Sequence, residues 1–193
     1  MATTDQTGAA VTGFDLFADL EGWRMAGKGR FVPVADGLES EEGPGLFWYA
    51  RRDFADFVLH VEWRSHAESD NSGVFIRTPP LDSDWRPAIE QGYEIQIDDR
   101  GYDPETKRTG SALHMSGAVY RLAPATAFAS HPVGAWNSFH IMAHGAAISV
   151  VLNGTKTARL TRDVGRRRSG HIALQCHHPG SRVRFRRLHV ELL

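Results

Sequence analysis

The segment Gly92-Tyr93-Glu94-Ile95-Gln96-Ile97-Asp98-Asp99 alternates without a break. In an extended chain Ile95 and Ile97 fall on one face, and Glu94, Gln96 and Asp98 fall on the other. A helix would scatter both sets around its circumference, so the pattern specifies a strand. It also recurs. Phe57, Leu59, Val61 and Trp63 alternate with Val58, His60, Glu62 and Arg64, and Val74 and Ile76 alternate with Phe75 and Arg77. Residues 31–34, 45–49, 117–120, 137–143, 147–152, 156–160, 171–176 and 183–192 read as further strands, with Asn153-Gly154 as a tight turn. No window supports a helix of three or more turns. A chain of 193 residues with 19 glycines and these turns fits one all-β domain. The expected architecture is two antiparallel sheets packed as a jelly-roll sandwich over residues 13–193, preceded by a flexible arm over 1–12.

Charge and cysteine content narrow the partners. Lys and Arg total 22 against 23 Asp and Glu, a net charge of -1. That balance argues against nucleic acid or an anionic membrane as a partner. No apolar run reaches spanning length, and the N-terminus lacks the basic start and apolar stretch of a secretory signal, so a cytoplasmic location is expected. Cys176 is the only cysteine, which excludes an intrachain disulfide and cysteine-based zinc sites. A glycine-rich phosphate loop, a nucleophile elbow and an HExxH helix are all absent.

The polar faces carry the chemistry. If strands 57–64, 71–77, 93–98 and 171–177 share one sheet, a single surface gathers Glu62, Arg64, Asn71, Phe75, Arg77, Glu94, Gln96, Asp98, Gln175 and His177. Carboxylates, amides and guanidiniums hydrogen-bond vicinal hydroxyls, and a ring gives a sugar a platform. A small-molecule carbohydrate is therefore the expected ligand. Trp85, in the proline-rich stretch 78–87, is positioned to lid the sheet or stack on the ligand. His177 and His178 offer a general base or a metal ligand. The plainer reading of each residue is a solvated outer face with cross-strand ion pairs. The scarcity of lysine and the mixture of amides with rings weigh against that for the set as a whole. The pattern demands no cofactor, although carboxylates and histidines on one face leave a divalent metal, calcium or a transition metal, open.

Several segments in order carry a resemblance. They include Gly13-Phe14-Asp15-Leu16-Phe17, Leu46-Phe47-Trp48-Tyr49, Asn71-Ser72-Gly73-Val74-Phe75-Ile76-Arg77, the Gly92–Asp99 strand, Ser116-Gly117-Ala118-Val119-Tyr120, and the run from Leu174 to Arg186. Across nearly its whole length the chain resembles the bacterial 3-keto-disaccharide hydrolase domain family. The resemblance implies a sandwich of the concanavalin A-like lectin/glucanase type. It also implies action on 3-keto-glucoside-type substrates, whose C3 hydroxyl has been oxidised to a ketone. Strand 94–98 is also similar to the catalytic strand of laminarinase-type hydrolases, Glu-x-Asp-x-(x)-Glu. Gln96 and Asp98 depart from that pattern and disfavour a two-carboxylate displacement.

A ketone at C3 acidifies the C2 proton, so a base can remove it and the C1 substituent can leave by elimination. On this reading Glu94 or His177 is the base, and Arg77 or Arg64 steadies the enolate. Asp98, Gln96 and Glu62 hold hydroxyls or assist the leaving group, and Asn71, Phe75, Gln175 and Trp85 complete the sugar contacts. The rival readings are a non-catalytic, lectin-like carbohydrate-binding domain and a laminarinase-type glycoside hydrolase.

Overall fold

The computed structural model describes residues 13–18, 20–162 and 164–193. The arm expected over 1–12 lies outside the described residues. In chain order the strands are β1 (Gly13–Asp15), β2 (Trp23–Gly27), β3 (Arg30–Val34), β4 (Gly37–Glu41), β5 (Gly45–Tyr49), β6 (Phe57–Ser65) and β7 (Ser72–Thr78). A short helix, α1 (Arg86–Gln91), precedes β8 (Tyr93–Ile97). β9 (Asn137–His144), β10 (Ala147–Leu152), β11 (Thr155–Leu160), β12 (His171–Cys176) and β13 (Val183–Leu192) follow. No helix among the described residues is long and apolar enough to cross a membrane.

Two antiparallel sheets make the sandwich. The larger runs β11-β10-β9-β6-β13-β4-β3, with β1 also paired to β13. The smaller runs β2-β5-β12-β7-β8. The alternation read from the sequence decides which side chains meet between them. Phe57, Leu59, Val61 and Trp63 of β6 face Ile95 and Ile97 of β8 and Ile172 and Leu174 of β12 in one buried cluster. Period-two burial of this kind is what packs one sheet on another. Asn153 and Gly154 both take positive φ at the β10–β11 turn, as an Asn-Gly hairpin requires.

The smaller sheet is covered on both sides. β7, β8 and β12 are buried at every residue. Their far face carries a second apolar cluster of Ala26, Leu46, Trp48, Phe75, Leu81, Ala88 and Ala173, with Trp85 and Ile89 packed on it. The segment from Pro79 through α1 therefore lies across that face as a cover. On the same side the chain beyond β8 folds back along the sheet edge. Gly117 N–H donates to the Gln96 carbonyl (2.9 Å), and Tyr120 N–H donates to the Glu94 carbonyl (2.9 Å).

The fold corrects the sequence reading in three places. β6 belongs to the larger sheet, so its polar residues lie on the opposite side of the molecule from those of β7, β8 and β12. Alternation reports which face a residue occupies and not which sheet it joins. Residues 117–120 form a single bridge, Ile95 with Val119, and no strand. β2, β4 and α1 are additional, because Gly37-Leu38-Glu39-Ser40-Glu41 offers too little apolar periodicity to read as a strand.

Candidate functional site

Two rows of side chains cross the covered face of the smaller sheet. Register places Glu94 opposite Phe75, then Ala173 opposite Phe75 and Trp48. One step along, Gln96 is opposite Gly73, while Gln175 is opposite Leu46, which pairs with Ala26. Small residues, Gly73, Ala173 and Ala26, floor the middle, and polar groups stand to either side. A cavity of about 330 Å3 results. Glu94, Gln96, Asn71, Gln175 and His177 supply its polar lining, and Trp85, Tyr102, Tyr120, Ile89 and two prolines supply its apolar walls.

The polar lining is largely withdrawn from water. Glu94 is 6 % exposed, Gln96 2 %, Asn71 5 % and Gln175 7 %, which removes the reading of a solvated outer face. Among the described residues the side-chain oxygens of Gln96 and Gln175 have no hydrogen-bond partner. Buried amide oxygens are normally paired, so two unpaired ones at one cavity leave acceptors that a ligand could meet. The other atoms are held in place. Gln96 Nε2 donates to Asn71 Oδ1 (3.2 Å), and Asn71 Nδ2 donates to Asp98 Oδ2 (3.0 Å).

Glu94 and His177 are displaced in opposite directions. Burial pushes the Glu94 carboxyl up to about 8, and no described residue hydrogen-bonds it. Burial, helped by His178 and Arg100, brings His177 down to about 4. Around neutral pH both groups are uncharged, one a carboxylic acid and the other a neutral imidazole. The Nδ1 atoms of His177 and His178 lie 2.8 Å apart, so one donates to the other. When His177 is the donor, its Nε2 carries a free lone pair. Tyr120 is raised as well, first by burial and then by the Glu94 charge.

Several expected residues lie elsewhere. Glu62 and Arg64, on β6, make outer-face contacts. Glu62 accepts from Arg186 Nε (2.5 Å), and Arg64 reaches Asp36 (3.5 Å) and lies over the Trp136 ring. Arg77 is fully buried and committed to structure. Its Nε and Nη2 donate to the Ala55 carbonyl (2.9 and 2.6 Å), Nη1 donates to the Gly145 carbonyl (2.8 Å), and Nη2 also meets Asp56 (3.1 Å). No nitrogen of that fork is turned to the cavity, because the positive φ at Arg77 (54°) marks an irregularity at the end of β7. Asp98 is likewise spent on structure, accepting from Asn71 and from the backbone N–H groups of Arg100 and Tyr102 (3.0 Å each). Phe75 packs beneath α1 and is fully buried. Among the described residues no group of three His, Cys, Asp or Glu side chains is arranged to hold a metal ion.

Glu94, His177, Gln96, Asn71, Gln175 and Trp85 are thus brought together. Tyr120, Tyr102 and Ile89 join them without having been singled out. Their only sequence signal is position: Tyr102 and Tyr120 lie within the long connection between β8 and β9, and Ile89 lies in a helix too short to show periodicity.

A family model described as the 3-keto-alpha-glucoside-1,2-lyase-like domain matches residues 14–191. Among solved structures, a candidate glycosyl hydrolase from Parabacteroides distasonis superposes with a TM-score of 0.78 at 22% identity, covering 94% of this chain and 100% of that one. A protein of unknown function with a galectin-like fold from Bacillus subtilis gives 0.67 at 14% identity, covering 100% and 98%. A carbohydrate-binding module from the same species gives 0.60 at 13%, covering 86% and 93%. At these identities the structural likeness establishes the fold alone. No curated protein matches the chain.

Proposed function

The chain belongs to the 3-keto-alpha-glucoside-1,2-lyase-like domain family, and on that premise we propose that it cleaves 3-keto-glucosides by elimination across C1 and C2, followed by hydration. The observation that carries the reading is the pair Glu94 and His177. They line one covered cavity, with the carboxyl raised to about 8 and the imidazole lowered to about 4. Two titratable groups pushed apart in this way are suited to act as acid and base at the same pH.

His177 is the base and Glu94 the acid. The imidazole takes the C2 proton, and the electron pair left behind is delocalised onto the C3 ketone as an enolate. That pair then forms the C1–C2 double bond as the C1–O bond breaks, and the departing oxygen takes the Glu94 proton. Hydration runs the two transfers in reverse. The Glu94 carboxylate accepts a proton from the water that adds at C1, and the imidazolium returns a proton to C2. The products are the free 3-keto sugar and the released alcohol, and both side chains regain their starting state.

The unpaired Gln96 and Gln175 oxygens accept from sugar hydroxyls. The Gln96 and Gln175 NH2 groups and the Tyr120 hydroxyl are the donors near a developing enolate oxygen, a role that Arg77 does not reach. Trp85 stacks on the sugar from the cover. It rests against Gly27, where an added Cβ would stand 2.4 Å from the indole. Glu94 is the one carboxyl among the lining residues, and a cavity without a second carboxylate suits elimination better than direct displacement at C1.

Turnover of a 3-keto-glucoside and of the same glucoside unoxidised tests the proposal. The expected result is release of the 3-keto sugar from the first alone, lost by at least about 100-fold in both His177→Ala and Glu94→Gln. Turnover of the unoxidised glucoside only would favour a conventional glycosidase. Binding of both with turnover of neither would favour a lectin-like domain.

A further inference from the structure

Across the Glu94–Tyr120 partition lies a second hollow of about 300 Å3. It shares Ile89, Glu94 and Tyr120 with the first, so the two meet at the proposed acid. Its remaining walls are Glu90, Arg121, Leu122 and Arg166. The first hollow offers amides and aromatic rings. The second offers two guanidiniums above two aliphatic side chains.

Arg166 is held at the hollow by the fold, and Arg121 lines it from the exposed side. Arg166 Nη1 donates to the Ile89 and Gly92 carbonyls (2.7 and 2.6 Å), which anchors the side chain at the end of α1. Among the described residues its Nε and Nη2 have no hydrogen-bond partner, and a guanidinium fork suits a planar anion. Arg121 sits in the left-handed region at φ 58°, a conformation that Gly or Asn would adopt more easily. Its Nη2 pairs with Glu105, which lies outside the hollow. Glu90 is exposed at the rim. Arg166 feels Arg121 as a neighbouring positive charge, second to its own burial among the influences that lower it.

We infer that this hollow is the leaving-group subsite and that it selects leaving groups carrying a carboxylate, gripped by Arg166 and Arg121 with Ile89 and Leu122 against the apolar spacer. The assignment rests on the lyase reading for the direction of the sugar. With the ring over the amides of the first hollow and the scissile oxygen at Glu94, the departing group has the second hollow in front of it. A carboxylate matches a guanidinium fork in shape as well as charge.

The test uses two 3-keto-glucosides with closely similar leaving groups, 4-(carboxymethyl)phenyl and its neutral amide, 4-(carbamoylmethyl)phenyl. Binding is read by calorimetry in the His177→Ala background, and kcat/KM is read in the wild type. The expected result is about tenfold tighter binding of the carboxylate, weakened by salt and abolished by Arg121→Gln or Arg166→Gln. Arg121→Gln leaves the backbone contacts of Arg166 intact, so it remains informative if Arg166→Gln destabilises the fold. Equal affinity, a preference that survives in Arg121→Gln, or no binding of either compound overturns the subsite. A preference in binding that depends on the arginines, with no turnover of either compound, removes the lyase reading and keeps the subsite. Equal turnover without preference does the reverse.

Discussion

A methyl group on Gly73 would stand 2.4 Å from Glu94 Oε1 and 2.8 Å from its Cγ. The carboxyl of Glu94 therefore lies over the bare backbone of the neighbouring strand, and that bareness lets a carboxylic acid occupy a covered face without a partner. Gly73→Ala is expected to keep the fold, since the strand conformation suits alanine, and to lower kcat at least tenfold by displacing the acid. Circular dichroism and steady-state kinetics check it. The Glu94 and His177 displacements also set a pH window. The base is lost as pH falls through about 4 and the acid as pH rises through about 8, so kcat/KM is expected to be bell-shaped between those limits. The same shift marks stability. Between the usual carboxylate range and about 8 the native state holds a proton that the unfolded chain has lost, so Glu94 makes the fold less stable as pH rises through that interval. Glu94→Gln removes the penalty. At pH 8.5 it is expected to gain on the order of 2 kcal/mol, roughly 4–8 °C in Tm, with little change at pH 4. Equal Tm differences at both pH values would contradict the assignment.

Strands and covers divide the labour at the next scale. The elements that pack the smaller sheet onto the larger one are those whose alternation is plainest, β6 to β8, β12 and β13, and they are the ones the sequence makes legible. The candidate site was legible in part for the same reason. Glu94 and Gln96 on β8, and Gln175 and His177 on the β12 line, each share a face because one residue separates the two members of each pair. Sheet membership was not legible, because Glu62 and Arg64 obey the same period-two rule on β6 and end on the other side of the molecule. Arg77 was misleading for a different reason: a local irregularity at the end of β7 turns it away from the face its parity suggests. Arg77→Ala would empty the space of a fully buried side chain and take a donor from the Ala55 and Gly145 carbonyls, and it is expected to destabilise the protein by about 2–4 kcal/mol in chemical denaturation. KM for the 3-keto-glucoside should stay within about twofold wherever the variant is folded. Trp85, by contrast, belongs to the cover. Trp85→Ala is expected to raise KM about tenfold, and a changed KM with unchanged kcat is the signature of a binding contact.

The whole molecule is a sandwich with unlike outer faces. The larger sheet turns a charged, ion-paired surface outward, on which His60 stacks on His140 and Arg184 meets Asp36 and Glu39. The smaller sheet buries its far face under α1 and the connection after β8, and that burial keeps Glu94 a neutral acid and His177 a neutral base on the lining of one cavity. The proposed reaction at C2 rests on this face's Glu94 and His177 and not on the fold. The most direct test of that claim is turnover of a 3-keto-glucoside carrying deuterium at C2 against its protiated twin, with the C2 label of the 3-keto sugar read by mass spectrometry and NMR at early times and corrected for spontaneous exchange. Removal of the C2 proton by His177 predicts a primary isotope effect on kcat/KM, or loss of the label to water wherever the imidazolium exchanges before hydration. A product released at the protiated rate with its C2 deuterium fully retained would contradict the account.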